Sequence, residues 1–186
     1  MSWIITFSGR RFDILEPDSQ DVAILDIAHA LAHACRFAGH CRSHYSVAQH
    51  SILVSQLVPQ EYAMPALLHD AAEAYVGDMV TPLKQALPEF AKIEQRIMAV
   101  IALRYDLAWP FAAPVAKAIK YADLQALALE RRDLLPVHSE PWPCLEGVAI
   151  DTISETVIHP WGASHAKQVF LKRFEQLLSY TRKVSC

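Results

Sequence analysis

Ionisable residues stand inside the apolar stripes of three predicted helices, and this feature constrains the fold of the chain more than any other. His50 lies on one stripe, the adjacent pair His69 and Asp70 on a second, and Asp123 on a third. Burying such groups singly is costly unless each is paired or bound to another group. We therefore expect the three helices to bring these four side chains to one common point.

The helices are predicted from apolar residues that recur at three- and four-residue intervals. This pattern predicts an all-α fold after residue 17, in which Asp21 is a candidate helix N-cap and Gly77 ends the third helix in a left-handed conformation. The predicted helices are Asp21 to Arg36, Ser43 to Leu57, Glu61 to Val76, Pro88 to Tyr105, Pro114 to about Leu135, and Ala163 to Tyr180. A polar loop over 77–82 follows the third helix, and Pro114 occupies a permissible first-turn position.

The first residues predict a different element. Two short extended runs, Trp3 to Phe7 and Arg11 to Leu15, flank a Ser8-Gly9 turn and are typical of a β-hairpin. We expect this hairpin to be appended to the helical part that follows.

Length and composition limit the classes of protein to consider. The chain has 186 residues, 53% of them hydrophobic, which suits a single domain over 1–186 with a core that needs no disulfides. A net charge of -3 gives no basic field for a nucleic acid polymer. The four cysteines form no CxxC pair, and the apolar N-terminus is short and lacks a basic leader. We expect a cytoplasmic protein with reduced thiols and no membrane span.

A shared cation would satisfy all four buried groups at once, so His50, His69, Asp70 and Asp123 are candidate metal ligands. Imidazoles and carboxylates suit a borderline or hard divalent ion, whereas thiolates would indicate a structural zinc. Two histidines and two aspartates leave coordination positions open, which is typical of a catalytic site. The ligand set fits one divalent ion and leaves Co, Mn, Mg, Zn, Ni and Fe open.

Four blocks in this order resemble the HD phosphohydrolase superfamily: SVAQHS at 46–51, LLHDAAE at 67–73, GDMVTPLK at 77–84 and KYAD at 120–123. Within it, the chain is similar to the bacterial 5'-deoxyribonucleotidases and to phage relatives that hydrolyse deoxynucleoside triphosphates. The resemblance covers about residues 21 to 135. It implies an HD-domain helical bundle, one divalent metal ion, a small-molecule nucleotide substrate and a homodimer.

The resemblance also implies two catalytic residues. Glu73 lies four residues after His69, so on one predicted helix it would reach the metal side, orient the attacking water and exchange its proton. Asp78 would accept a hydrogen bond from the sugar hydroxyl near the leaving oxygen. The alternatives are a solvated helix residue for Glu73 and a turn or cap residue for Asp78.

Four further residues are expected to bind the substrate. Arg36 resembles the arginine that grips the phosphate, although a salt bridge with Asp26 or another surface acid is the alternative. Its spacing to the first histidine ligand is about one residue shorter than in the similar deoxyribonucleotidases. Phe37 stands where those relatives carry a tryptophan that crowds the sugar, which weakens the expected selectivity against ribose. Thr81 and Lys84 match phosphate-contacting positions in type.

The function expected from these residues is a metal-dependent phosphohydrolase that releases phosphate from nucleoside 5'-monophosphates, with deoxyribonucleotides preferred. A deoxynucleoside triphosphate triphosphohydrolase on the same scaffold and a non-catalytic metal- or nucleotide-binding module are the alternatives. A cyclic-dinucleotide phosphodiesterase is disfavoured because no Gly-Tyr-Pro motif follows the His-Asp pair. His29 and His33 lie four residues apart without an identifiable third ligand, and we interpret them as structural.

Overall fold

Two short antiparallel strands begin the chain, and eight helices follow in the computed structural model, which describes residues 1–184. The strands are β1 (Trp3–Ile5) and β2 (Arg11–Asp13). The helices are α1 (Ile24–His33), α2 (Val47–Leu57), α3 (Ala63–Leu67), α4 (Glu73–Val76), α5 (Thr81–Ala86), α6 (Pro88–Arg104), α7 (Ala113–Leu134) and α8 (Ala163–Val184). The predicted all-α class with an N-terminal hairpin is confirmed at this level. No helix in the described part combines the length and the apolar character needed to cross a membrane.

The predicted hairpin is present, and it packs into the core. Phe12 in β2 is fully buried and stacks on Tyr75 of α4, with 3.8 Å between the ring centroids. At the turn, the backbone N–H and the hydroxyl of Ser8 donate to the buried carboxylate of Asp26 at 2.7 and 2.8 Å. Stacking and charge-assisted hydrogen bonds thus join the hairpin to α1 and α4.

Helix α2 lies at the centre of the packing, because it contacts α1, α3, α7 and α8. Its residues 47–52 are all buried. The surrounding core contains fully buried side chains from several of these helices: Ile27, Leu31, Ile52, Leu67, Leu129 and Phe170. A polar side chain in the middle of α2 is therefore excluded from water and must find its partners inside the protein.

The starts of the first two helices differ from the predictions. Asp21 is not an N-cap, because it ends a short 3-10 turn (Ser19–Asp21) that Asp18 caps, and α1 begins at Ile24 without a side-chain cap. Helix α2 begins later than predicted, after Ser46, whose hydroxyl accepts the N–H of Gln49 at 3.2 Å. The later helices α6 and α7 agree with their predicted ranges, and both have proline in the first turn.

The third predicted helix is broken. Helix α3 ends at Leu67 and α4 begins at Glu73, so His69 and Asp70 lie in the turns between them. Gly77 ends α4 with the predicted positive φ of 82°, but its ψ of 158° is extended rather than left-handed helical. This combination is essentially limited to glycine.

Two further boundaries differ. The predicted loop after Gly77 is shorter than expected, because α5 begins at Thr81. Helix α8 continues past Tyr180 to Val184, and Cys186 lies outside the described residues.

Candidate metal centre

The four candidate ligands converge from three parts of the fold. His50 Nε2 lies 3.3 Å from Asp123 Oδ1 and 3.7 Å from Asp70 Oδ2, and His69 Nε2 lies 3.1 Å from the same Asp70 oxygen. Ligand atoms of His50, His69 and Asp123 all lie within 4.8 Å of one another, so this cluster could hold a metal ion. The two carboxylates are 23% and 24% exposed, which leaves the cluster open on one side.

Both histidines turn the same ring nitrogen towards the cluster. His50 Nδ1 lies 2.7 Å from Glu130 Oε1, and His69 Nδ1 lies 2.8 Å from the carbonyl oxygen of Ala66. Because a carboxylate and a carbonyl only accept, Nδ1 carries the hydrogen in each ring, and Nε2 of the neutral ring is left with a free lone pair. Both Nε2 atoms are buried without a hydrogen-bond partner. Two orphaned acceptors beside two carboxylates fit a divalent cation.

The break after α3 explains how His69 reaches this position. In a continuous helix the Ala66 carbonyl would accept the N–H of Asp70. Instead it accepts from the His69 ring, and the next N–H groups bond three residues back, from Ala71 to Leu68 and from Glu73 to Asp70. The tighter turns bring two consecutive side chains, His69 and Asp70, to the cluster, which a regular helix would direct about 100° apart.

The charges of the cluster favour a cation between the carboxylates. Burial by itself would raise the pKa of Asp70 and of Asp123, but the neighbouring histidines outweigh it and hold both pKa values well below their usual range. Burial and the Arg36 charge lower the pKa of His50, yet Glu130 and Asp123 outweigh them and raise this pKa to about 9. Without a cation, a proton on His50 supplies the positive charge.

Glu130 is the functional candidate that the sequence interpretation missed. It lies on α7, seven residues after Asp123, and its side chain is fully buried. Besides His50, its Oε1 accepts the hydroxyl of Tyr45 at 2.9 Å, and its Oε2 accepts Nε and Nη2 of Arg36 at 3.2 and 2.9 Å. A spacing of seven residues places the carboxylates of Asp123 and Glu130 on one helix face, and this spacing could have identified Glu130 from the sequence.

Arg36 therefore pairs with a buried acid, and the alternative of a salt bridge to Asp26 or to a surface acid is wrong. The side chain is 12% exposed, and Nη1 has no hydrogen-bond partner among residues 1–184. Arg36 begins a 3-10 segment in which Phe37 and Ala38 have φ of 54° and 50°. Such backbone is unfavourable for residues other than glycine, and it clusters at functional sites. The Phe37 ring lies 5.2 Å from the guanidinium carbon of Arg36 and 6.3 Å from the Trp142 ring.

Glu73 lies next to the cluster, at the start of α4. Its side chain is 5% exposed, Oε1 is 3.5 Å from Lys84 Nζ, and Oε2 is buried without a partner among the described residues. Burial and the charges of Asp70 and Asp78 raise the pKa of Glu73 to about 10. The alternative of a solvated helix residue is therefore wrong.

The remaining predicted site residues lie on the segment that follows α4. Asp78 is partly buried, and burial raises its pKa against the opposing charge of Arg36, which places it in the electrostatic environment of the cluster. Lys84 Nζ forms an ion pair with Glu94 of α6 at 2.7 Å in addition to its contact with Glu73. Thr81 is exposed, and the described residues offer its side chain no hydrogen bond. The structure thus brings Asp78 and Lys84 to the site but not Thr81.

His29 and His33 lie in an aromatic stack, in agreement with a structural role. The His29 ring stacks on Phe7 of the hairpin turn at 3.7 Å and lies 4.2 Å from the His33 ring. Lys167 Nζ of α8 lies 4.1 Å from the centroid of the Phe7 ring. His33 Nδ1 bonds the carbonyl of His29 at 2.7 Å. These contacts join the hairpin turn to α1 and α8.

Two bacterial proteins are similar to this chain, and no family model matches it. The uncharacterized protein YfdR of Escherichia coli K12 is 46% identical over 177 residues, which cover 95% of this chain and 96% of that protein. An uncharacterized protein of Rhodobacter capsulatus is 38% identical over 143 residues, which cover 72% of this chain and 73% of that protein. The chain belongs to the same protein family as these two proteins, whose names state no activity.

Proposed function

We propose that this chain is a divalent-metal-dependent phosphohydrolase of the HD superfamily that releases inorganic phosphate from nucleoside 5'-monophosphates, with deoxyribonucleotides preferred. The observation that carries the proposal is the pair of buried, unpartnered Nε2 atoms of His50 and His69, directed at Asp70 and Asp123. The order of the four sequence blocks that supply these residues supports the family and the reaction class.

A divalent cation bound by the four side chains would supply Lewis-acid chemistry and neutralise the charge of a phosphoryl group. The protein's own contribution is a set of ligands that need little rearrangement. His50 and His69 are fixed by hydrogen bonds from Nδ1, and the two carboxylates hold their negative charge down to low pH. Preorganisation of this kind lowers the cost of forming the loaded site.

Glu73 is the residue proposed to exchange a proton with the reacting water. Its pKa of about 10 means that it holds a proton at neutral pH before a cation or nucleotide enters. The positive charge of a bound cation will favour loss of that proton, so the carboxylate can accept a proton from the attacking water and return it to the leaving oxygen. Asp78, in the same electrostatic environment, is the residue proposed to accept a hydrogen bond from the sugar.

Arg36 and Lys84 are the cations proposed to bind the phosphate. Arg36 keeps Nη1 available while its other donors hold Glu130, and Lys84 stands 3.5 Å from Glu73. A guanidinium fixed by one carboxylate can present its remaining donor to a phosphate oxygen at little entropic cost. The Phe37 ring lies beside Arg36, and the Trp142 ring lies 6.3 Å from Phe37. The preference for deoxyribose rests on the resemblance of the sequence blocks alone.

A substrate panel tests the proposal. The protein is stripped with a chelator, reloaded with Mn(II), Co(II) or Mg(II), and assayed for phosphate release from dAMP, AMP, dADP and dATP, with tripolyphosphate measured separately. We expect metal-dependent phosphate release from the monophosphates, faster with dAMP than with AMP. Activity on dATP alone, with tripolyphosphate as product, would support the triphosphohydrolase instead. Full activity of the stripped protein, or no activity with any metal, would contradict the proposal.

A further inference from the structure

We propose, on the basis of the function proposed above, that Glu130 is a positioning residue that couples the metal centre to the phosphate-binding arginine. One of its oxygens holds the ring of His50 and the other holds the guanidinium of Arg36. Its side chain is fully buried, so it acts through these neighbours and not on the substrate.

The hydrogen bonds of Glu130 use both oxygens fully. Oε1 accepts from His50 Nδ1 and the Tyr45 hydroxyl, and Oε2 accepts from Nε and Nη2 of Arg36. A carboxylate offers about four lone-pair positions, and all of them are occupied here. A buried carboxylate is tolerated only when it is paired and hydrogen-bonded in this way. Its position is therefore determined by the three partners, and it determines theirs in return.

The contact with His50 concerns the metal. A carboxylate behind a ligating imidazole fixes the ring orientation, keeps Nδ1 protonated and increases the basicity of Nε2. His50 lies in the buried first turn of α2, where no other acceptor for Nδ1 is found among the described residues. Loss of such a partner lowers metal affinity by about 10- to 100-fold in comparable sites.

The contact with Arg36 concerns the phosphate. Two donors of the guanidinium fork, Nε and Nη2, bind the same carboxylate oxygen, and these two bonds set the plane of the group and the direction of Nη1. The backbone of the next two residues, Phe37 and Ala38, has positive φ, so the arginine stands at a strained bend that needs such an anchor. Without Glu130 the guanidinium would lose its orientation.

Two substitutions separate the contacts. In Glu130→Gln the amide oxygen can still accept from His50 and Tyr45, but the amide nitrogen is a donor that meets the donors of Arg36. Metal affinity should fall by less than about 10-fold, while KM for dAMP should rise by about 10- to 100-fold. Glu130→Met has no acceptor, so metal affinity should also fall by about 10- to 100-fold. Glu175→Gln, an exposed carboxylate of α8, is the matched control and should change neither.

The readouts include the metal and the phosphate without turnover. Affinity for Co(II) is measured by titration of the stripped protein, and the visible spectrum of the Co(II) form reports the ligand geometry around His50. Binding of inorganic phosphate to the loaded protein is measured by calorimetry. Thermal unfolding in chelator checks that each variant is folded, and Glu130→Gln remains informative if Glu130→Met does not fold.

A double-mutant cycle with Arg36→Met decides whether Glu130 acts through the arginine. In the Arg36→Met background, Glu130→Gln should add less than about 3-fold to KM, because its partner is already absent. Additive effects on KM, or an unchanged KM in Glu130→Gln, would contradict the proposed role of Glu130 in positioning Arg36. An unchanged Co(II) affinity and spectrum in folded Glu130→Met would contradict the proposed role of Glu130 in positioning His50. If the wild-type protein binds Co(II) and phosphate but hydrolyses no nucleotide, the proposed function is wrong. The effects of the Glu130 variants on Co(II) and phosphate binding then still test the positioning role.

Discussion

The two sides of the candidate site are built differently. On the side of α2 and α7, His50 and Glu130 are fully buried, and Arg36 is nearly so, within a network in which the Glu130 carboxylate accepts from both the His50 ring and the Arg36 guanidinium. On the side of α4 and α5, Lys84 is 28% exposed, Thr81 is exposed, and one oxygen of Glu73 has no partner among the described residues. The first side is closed around a fully hydrogen-bonded carboxylate, and the second side is more open to solvent.

This difference separates two tasks. A metal site benefits from ligands fixed before the ion arrives, whereas a substrate site must accept and release a charged molecule in each turnover. Substitutions of the metal ligands should change metal affinity, and substitutions of Glu73 or Lys84 on the open side should change kcat or KM while metal affinity is retained. The four predictions below test this separation.

Asp70→Ala should have the largest effect. Asp70 lies within 3.7 Å of both histidine Nε2 atoms, so its removal deletes one ligand and leaves two imidazoles facing each other. We expect the bound metal to fall below one equivalent and phosphate release to fall by about 10³-fold or more. Metal content and turnover are measured on the same sample. Glu175→Ala is the control, and a variant with normal metal content and turnover would contradict the assignment of Asp70.

Glu73→Gln should have a smaller effect, and only on catalysis. The amide keeps the shape of the side chain but cannot accept a proton, so kcat should fall by about 10²- to 10⁴-fold. Co(II) affinity should stay within about 3-fold, because Glu73 is not among the ligands. Steady-state kinetics and metal titration are the measurements. A parallel loss of metal affinity would place Glu73 on the closed side and remove the distinction.

Metal affinity should depend on pH in a defined direction. Without a cation the pKa of His50 is raised to about 9, so at pH 7 the ring is protonated and must lose a proton for Nε2 to bind a metal. Affinity should therefore rise by about tenfold per pH unit up to pH 9 and then level off. Calorimetry in buffers of different ionisation enthalpy should detect the released proton. Affinity that is constant between pH 6 and 8 would argue against His50 as a ligand.

Lys84→Met should have the smallest effect. Lys84 is only partly exposed and pairs with Glu94 and Glu73, so its loss should raise KM for dAMP by about 10-fold or less and leave Co(II) affinity unchanged. Lys92→Met removes an exposed lysine that pairs with Glu89 on the protein surface, and it serves as the control. A changed metal affinity in Lys84→Met would show that the open side also supports the metal.

The sequence predicted the locally determined parts of the structure well. Helices α6 and α7 agree with their predicted ranges because a proline in the first turn and a regular apolar repeat specify them. Convergence of His50, His69, Asp70 and Asp123 was also predicted, because buried ionisable groups need common partners. Their role as ligands stays a prediction.

The parts that depend on distant contacts were not predicted. Glu130 shares a helix face with Asp123, but its partners Arg36, Tyr45 and His50 lie 94, 85 and 80 residues away in sequence, so no local pattern identifies them. At the break after α3, the His69 ring bonds the carbonyl oxygen of Ala66, which a continuous helix would use for a backbone N–H. A periodic pattern of apolar residues does not reveal this exchange. The burial of Phe12 likewise depends on stacking with Tyr75.

X-ray absorption spectroscopy of the protein loaded with one equivalent of Zn(II) tests the central claim most directly. Two imidazole nitrogens at about 2.0–2.1 Å, with oxygen ligands completing the shell and no sulfur, are the predicted result. The imidazole signal should weaken in His50→Ala and in His69→Ala. A shell without histidine nitrogen, a shell that contains sulfur, or an unchanged imidazole signal in both variants would contradict the account.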